Sequence, residues 1–407
     1  MNNVLVLTMA GEPVDGVEFE DGDPLGGPAL VDPACPEATV PQPALLRRIR
    51  DGIGSASEWL FGGFALVMGL AILSATPVLQ LLSFGYLLES GGRVARTGRL
   101  RDALIGVRRA ARLGSMVIGC SLVLLPLRLI ASWTTSAQLV DPGGPIARRW
   151  RIGLLILTAL TVLHIITSCA RGGKLRYFFW PFATPRWLVR RLRRGEIYAS
   201  ARDEVWDFVT ALRFPYYFRL GLLGFVGTMA WLLVPVTLIA LGRRFPPVAF
   251  LGGFLLAIIS LALPFLQMRF AAENRFAALF EYRAIRERFR RAPWAFAFAA
   301  FLTLTFAIPL YLLKIEMIPR ETAWLPSLVF LGFIFPARTL TGWAYARSGR
   351  REQPRHWFFR WTSRLGMFAT GLTYALIVFF TQFTAWQGIW SLYEQHAFML
   401  PVPFLNM

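Results

Sequence analysis

The chain has 407 residues, 55% of them hydrophobic, with a mean hydropathy of +0.50 and a formal charge of +19. All of its 43 basic residues except Lys174 and Lys314 are arginine. In a soluble protein this balance suggests nucleic acid, but here the arginine clusters lie between apolar runs that reach the ~20 residues needed to cross a ~30 Å hydrocarbon core. The composition therefore points to a polytopic membrane protein and to no nucleic-acid partner.

Residues 1–56 are expected to form a disordered acidic tail. Its first 46 residues hold acids at 12, 15, 18, 20, 21, 23, 32 and 37, no Lys or Arg, and many Gly and Pro. The acids lack the register of a Ca²⁺ loop, and the N-terminus lacks the basic-then-apolar pattern of a secretory signal. Cys35, Cys120 and Cys169 fit neither a disulfide framework nor zinc spacing. No metal and no cofactor is expected.

The first span is predicted over Trp59–Pro77, kinked at Pro77 and continuing as helix to Glu89, with Gly91-Gly92 as its stop. Arg99–Arg112 reads as one amphipathic interfacial helix, with Leu100, Leu104, Val107 and Ala111 on one face. Arg101, Arg108, Arg109 and Arg112 are candidate contacts for anionic lipid. Spans 2 and 3 are predicted over Gly114–Trp133 and Ile152–Ala170. The polar stretch 171–216 follows, with a capping box at Ser200–Asp203 opening a short helix. Span 4 is predicted over Tyr217–Leu241 and span 5 over Pro247–Pro264. Arg269–Arg291 reads as a helix with i,i+4 pairs Arg269/Glu273, Arg283/Glu287 and Glu287/Arg291. Spans 6, 7 and 8 are expected over Trp294–Leu313, Trp324–Ala344 and Arg364–Trp386.

Several short matches recur in the same order. Pro77-Val-Leu-Gln80 resembles Pro264-Phe-Leu-Gln267, and Arg108-Arg-Ala110 resembles Arg290-Arg-Ala292. Ala170–Lys174 resembles Ala346–Arg350, and Arg219-Leu-Gly221 resembles Arg364-Leu-Gly366. They suggest two tandem four-span units, 57–242 and 243–390, followed by a tail at 391–407. An even number of spans per unit makes this a parallel repeat. Pro77 and Pro264 then read as equivalent elbows where a span leaves the membrane, with Gln80 and Gln267 bonded to the carbonyls each proline frees.

Basic residues number 7, 10, 7 and 5 in the loops after spans 1, 3, 5 and 7, against 3, 2 and 2 in the loops between. The positive-inside rule makes the richer side cytoplasmic. Both termini are then non-cytoplasmic, unless Pro77 splits span 1 into a re-entrant hairpin.

Polar groups inside spans are the default functional hints. His164 and Arg338 lie at similar depth in spans 3 and 7; the favoured expectation is that each is satisfied by interhelical hydrogen bonds or water, the other that they flank a common cavity for an anionic group. Together with Gln80 and Gln267 they form the candidate membrane-interior site. Carboxylates are nearly absent from span interiors, which argues against proton or sodium relays and against acid–base hydrolysis in the bilayer. The chain has no Gly-x4-Gly-Lys-Ser/Thr, no His-Glu-x-x-His and no Gly-x-Ser-x-Gly.

The passage Leu81-Leu-Ser-Phe-Gly-Tyr-Leu-Leu-Glu89 resembles a domain of prokaryotic polytopic membrane proteins to which no function is assigned. The resemblance covers the first four spans and implies a membrane protein, with no functional residue carried over. The sequence thus predicts an all-α integral membrane bundle of about eight transmembrane helices with interfacial amphipathic helices. Its expected role is a non-enzymatic scaffold or assembly protein of a bacterial plasma membrane that engages anionic lipids or an acidic protein. The alternative is a transporter or channel for a small anion or lipid.

Overall fold

The computed structural model describes residues 45–179, 197–312, 324–385 and 388–394. The expectations for residues 1–44, the arginines at 186–194 and the tail beyond 394 lie outside them. The described residues contain helices and no strand: α1 (Leu45–Ala75), α2 (Gln80–Thr97), α3 (Val107–Val140), α4 (Pro145–Ala170), α5 (Leu175–Phe179), α6 (Ile197–Ala211), α7 (Phe214–Leu241), α8 (Pro246–Glu273), α9 (Tyr282–Arg291), α10 (Pro293–Leu312), α11 (Trp324–Gly349), α12 (Trp357–Thr384) and α13 (Ser391–Glu394). Seven of them are long and apolar enough to cross a membrane, and α9 with α10, bent by 114°, makes an eighth. The described residues from Asp51 onward form one compact unit.

Pro77 does not kink span 1; it ends it. Helix α1 stops at Ala75, Val78 takes a positive φ of 68°, and α2 begins at Gln80. Ser83 Oγ then donates to the carbonyl of Leu70 at 2.8 Å. Along a straight helix those residues would stand about 20 Å apart, so the chain has doubled back. A β-branched residue at positive φ is strained, and this bond across the turn is what holds it. Midway along α1, an added Cβ on Gly62 would lie 2.5 Å from the Val107 carbonyl oxygen, and one on Gly114 would lie 2.6 Å from Ala65 Cβ. Gly62 and Ala65 of α1 thus lie beside the first turns of α3, at the end of the bundle that holds the 98–106 connection. The main expectation of one kinked span continuing to Glu89 is corrected, and the alternative of a split at Pro77 is what forms: α1 runs away from that end and α2 returns to it.

Among the described residues α1, α2, α3, α4, α7, α8, α10, α11 and α12 alternate in direction. One end gathers the arginine-rich connections. There Arg109 Nη1 donates to Ala211 O at 2.6 Å, Arg96 Nη1 to Ala271 O at 2.9 Å, and Arg355 N to Arg290 O at 2.8 Å. At the other end Trp133 meets Trp150 across the α3–α4 turn, and Tyr393 reaches Thr237.

Helix α2 is the hub. It is buried from Leu82 through Gly92 and packs against α7, α8 and α11. Backbones meet directly: a Cβ on Gly85 would collide with the Tyr217 carbonyl oxygen, and one on Gly221 with that of Leu81. Gly91 stands as close to Met268 of α8, and Gly342 of α11 to the Gly91 carbonyl. Such small-residue contacts let helices approach more closely than the usual 8–10 Å and gain dispersion contacts that lipid tails do not provide. Helices α3 and α4 pack mainly on each other and α5, and their apolar spans are almost wholly exposed, as lipid-facing helices should be.

The two arginine-rich stretches are not single helices. Gly98 (φ 72°, ψ 9°) caps α2 with its N–H on Val94 O at 2.7 Å. Arg99 is extended, Leu100–Ala103 form a 3₁₀ turn, and Leu104 has φ −85°, ψ 77°. Gly106 at φ 73° then separates this turn from α3. Arg101 therefore belongs to a 3₁₀ turn, and Arg108, Arg109 and Arg112 to the start of α3. Asn274 (φ 51°, ψ 34°) caps α8 in the same way, its N–H on Phe270 O at 2.7 Å. An extended Arg275, a 3₁₀ turn at Phe276–Phe280 and a Glu281 with φ −84°, ψ 61° follow. These matching turns align Gly98 with Asn274, which puts Gly91, not Gln80, opposite Gln267. Pro264 lies within the continuous helix α8, so the two prolines are not equivalent elbows. Of the expected pairs, Arg269–Glu273 forms at 3.2 Å, while among the described residues Glu287 pairs with neither Arg283 nor Arg291. Ser200 falls inside α6, which already starts at Ile197, so it does not cap that helix.

Replacing Gly85 by Ala forces α2 from α7 and is expected to cost about 2 kcal/mol. Gly63→Ala, where nothing lies within 4 Å, should cost nothing. Thermal unfolding of the two variants in one detergent checks this; equal melting temperatures would contradict the close approach.

Candidate functional site

The predicted interior residues separate into distinct places. Arg338, in the middle of α11, is 1% exposed, and Gln267 of α8 is fully buried. They bind each other: Arg338 Nη1 donates to Gln267 Oε1. Gln267 Nε2 in turn donates to Thr228 Oγ1 of α7 at 2.6 Å. The guanidinium also lies over the ring of Phe84 in α2, 5.4 Å from its centroid. One cation thus ties together the helices that surround α2. In a low-dielectric interior an unpartnered guanidinium is very costly, and the amide and the aromatic face offset that cost.

His164 is elsewhere. Its Nε2 sits 3.0 Å from the Phe178 carbonyl, so it donates there from the Nε2–H tautomer. With Ser168 Oγ donating to Tyr177 O at 3.1 Å, it staples the short α5 onto α4. His164 bonds to α5 and Arg338 to α8, so the interhelical and local bonding expected as one of the two readings is what forms at both residues. Gln80 is half-buried at the start of α2; its backbone N–H caps the turn on Thr76 O at 3.0 Å. It is not the counterpart of Gln267.

A second polar cluster lies nearer the arginine-rich end. Glu89 of α2 is buried. Its Oε1 accepts from Arg96 Nη2 at 2.5 Å and lies 3.5 Å from Arg93 Nε, and its Oε2 accepts from the Tyr216 hydroxyl at 2.8 Å. Arg269, Arg275, Glu273 and Glu281 form a four-membered ion-pair ring beside it, with Arg275 2.8 Å from both carboxylates. In the sequence Glu89 marked only a span end. Its spacing to Arg93 and Arg96 is the signal that was available.

The predicted lipid contacts Arg101, Arg108, Arg109 and Arg112 are all exposed at this end. Arg109 is held by the end of α6, as described above. Among the described residues no three His, Cys, Asp or Glu side chains come together as metal ligands. The chain matches no family model, no characterised protein and no solved structure. The resemblance carried by Leu81–Glu89 rests on those residues alone.

Gln267→Leu removes an acceptor from the Arg338 guanidinium and is expected to cost about 2 kcal/mol. Gln80→Leu should stay within about 0.5 kcal/mol of wild type. Parallel thermal melts distinguish this from the equivalence of the two glutamines, which predicts equal losses.

Proposed function

We propose that this is a non-enzymatic scaffold or assembly protein of a bacterial plasma membrane, built on a duplicated helical unit. Its arginine-rich end faces the cytoplasm and engages anionic lipid headgroups or an acidic protein. The observation that carries the reading is the partition of polar groups. Interior ones are consumed in bonds to each other, as Arg338, Gln267 and Thr228 are, whereas Arg101, Arg108, Arg109 and Arg112 are presented outward where the spans end.

Position adds to the argument. Arg108, Arg109 and Arg112 lie in the first turns of α3, where the helix macrodipole disfavours cations. Arg109 is offset by its bond to Ala211 O, whereas Arg108 and Arg112 have no such local partner among the described residues; a negatively charged membrane surface would favour them by about 1 kcal/mol per residue. The alternative, transport of an anion past His164 and Arg338, draws less support, because each residue is engaged by a neighbouring protein group, His164 by Phe178 O and Arg338 by Gln267. The matching turns after α2 and α8 support the duplicated unit.

In discs of mixed phosphatidylcholine and phosphatidylglycerol, the protein should enrich the anionic lipid around itself. The triple substitution Arg108→Gln, Arg109→Gln, Arg112→Gln should lower that enrichment by about half. Lipid analysis of purified discs reads this directly, and unchanged enrichment would contradict the reading. A protein recovered stoichiometrically from native-lipid discs would support assembly; solute flux in proteoliposomes would favour transport.

A further inference from the structure

A recess of about 410 Å³ opens at the arginine-rich end, where α2, α8 and α11 terminate side by side. Arg96, Thr97 and Gly98 of the α2 end, Arg288 of α9, and Tyr345 and Arg350 of α11 and its exit line it, with Glu273 at one wall. Three helix C-termini would by themselves make this a negative place. Much of that charge is already answered. Gly98 and Asn274 close their helices with backbone N–H groups, and Arg96 donates to Ala271 O at 2.9 Å and Ala272 O at 3.4 Å. Arg96 is also neutralised by Glu89, and Glu273 is taken up by Arg269 and Arg275.

Arg288 and Arg350 remain. The Arg288 guanidinium rests on the Tyr345 ring, 4.0 Å from its centroid. Arg350 Nη2 lies against the bare α-carbon of Gly98, where a side chain would exclude it. Among the described residues neither guanidinium pairs with a carboxylate or donates to a carbonyl. Two oriented guanidinium groups and a threonine hydroxyl in one recess suit the oxygen atoms of a phosphate, which Arg binds in a bidentate fork. The volume lies in the range of small-ligand sites and exceeds what a bare phosphate needs. The recess also stands where the apolar spans α8 and α11 end, the depth at which lipid phosphates lie.

We propose that this recess is a specific site for the phosphate of an anionic lipid headgroup, held by Arg288 and Arg350 with Thr97. It rests on the reading of this end as a membrane-facing basic surface, but differs in being saturable and local. The test uses the full-length protein in phosphatidylcholine discs, with phosphatidylglycerol added in steps and bound lipid counted by native mass spectrometry. Wild type should retain one phosphatidylglycerol at low fraction, and Arg288→Gln/Arg350→Gln should weaken that retention about tenfold. The triple substitution at Arg108, Arg109 and Arg112 should lower general enrichment and leave the single tight lipid in place. Loss of enrichment without loss of the tight lipid, or the reverse, separates the two claims.

Retention unchanged in the double variant would overturn the site. Arg350→Lys, which keeps the charge and loses the fork, should weaken retention as well; it provides the same test if the double variant does not fold. Soluble glycerol 3-phosphate and inorganic phosphate form the second arm. Protection of wild type against thermal unfolding by either, with no retained phosphatidylglycerol, would overturn the lipid assignment in favour of a soluble phosphate. No response to any of these probes would overturn the proposal.

Discussion

The structure depends on one reversal of the chain. Between Ala75 and Gln80 the backbone turns through a Val78 of positive φ and is held by the Ser83 hydroxyl on Leu70 O. This sends α2 back through the bundle, where its glycines let α7, α8 and α11 close around it. A helix with larger side chains at Gly85, Gly91 and Gly92 would keep those neighbours apart, and the interior would lose its close packing. Because α2 bears Glu89, Arg93 and Arg96, it is less apolar than the spans around it and needs partners at its lower half. Tyr216 and the carbonyls at the end of α8 supply them.

Two polar stations fix how the surrounding helices sit on α2. In the interior, Arg338, Gln267 and Thr228 connect α11, α8 and α7 beneath Phe84. Nearer the end, Glu89 and Arg96 connect α2 with α7 and α8. Bonds of this kind add modest net stability, since desolvation consumes much of their strength. What they supply is register: a helix slid by one turn would leave a guanidinium or a carboxylate in an apolar interior. The same accounting bears on function. Buried charge serves the fold, and the arginines available for other molecules are those at the open end.

The spans were legible in the sequence because an apolar run of about 20 residues has few alternatives in water or lipid. The reversal was legible only as an alternative at Pro77, not as the main expectation. Pro126, Pro235, Pro264, Pro309 and Pro336 all sit inside helices that continue, and Pro77 alone among these comparisons stops one. The difference lies in a tertiary bond from Ser83, which no local pattern reports. Arg338 and Gln267 were each singled out as polar residues in apolar surroundings, and the interhelical hydrogen bond expected of Arg338 forms, but that the two are each other's partners was not legible. Depth along a span is readable from sequence; the face on which neighbouring helices meet is not. The amphipathic reading of Arg99–Arg112 failed at Gly106, whose left-handed conformation the 3.6-residue period could not reveal. It placed the arginines at the correct end all the same, because charge distribution depends less on local geometry.

The most direct test of the α1–α2 reversal is the sidedness of three single cysteines in sealed, oriented vesicles, with the native cysteines replaced by serine. Ser55, Arg101 and Asp141 are exposed and lie, respectively, where the apolar part of α1 begins, in the connection after α2, and in the α3–α4 turn. A membrane-impermeant maleimide should label Ser55→Cys and Arg101→Cys from one side and Asp141→Cys from the other. Labelling of Ser55→Cys together with Asp141→Cys would mean that the chain crosses between α1 and α2, and the hub would have to be abandoned.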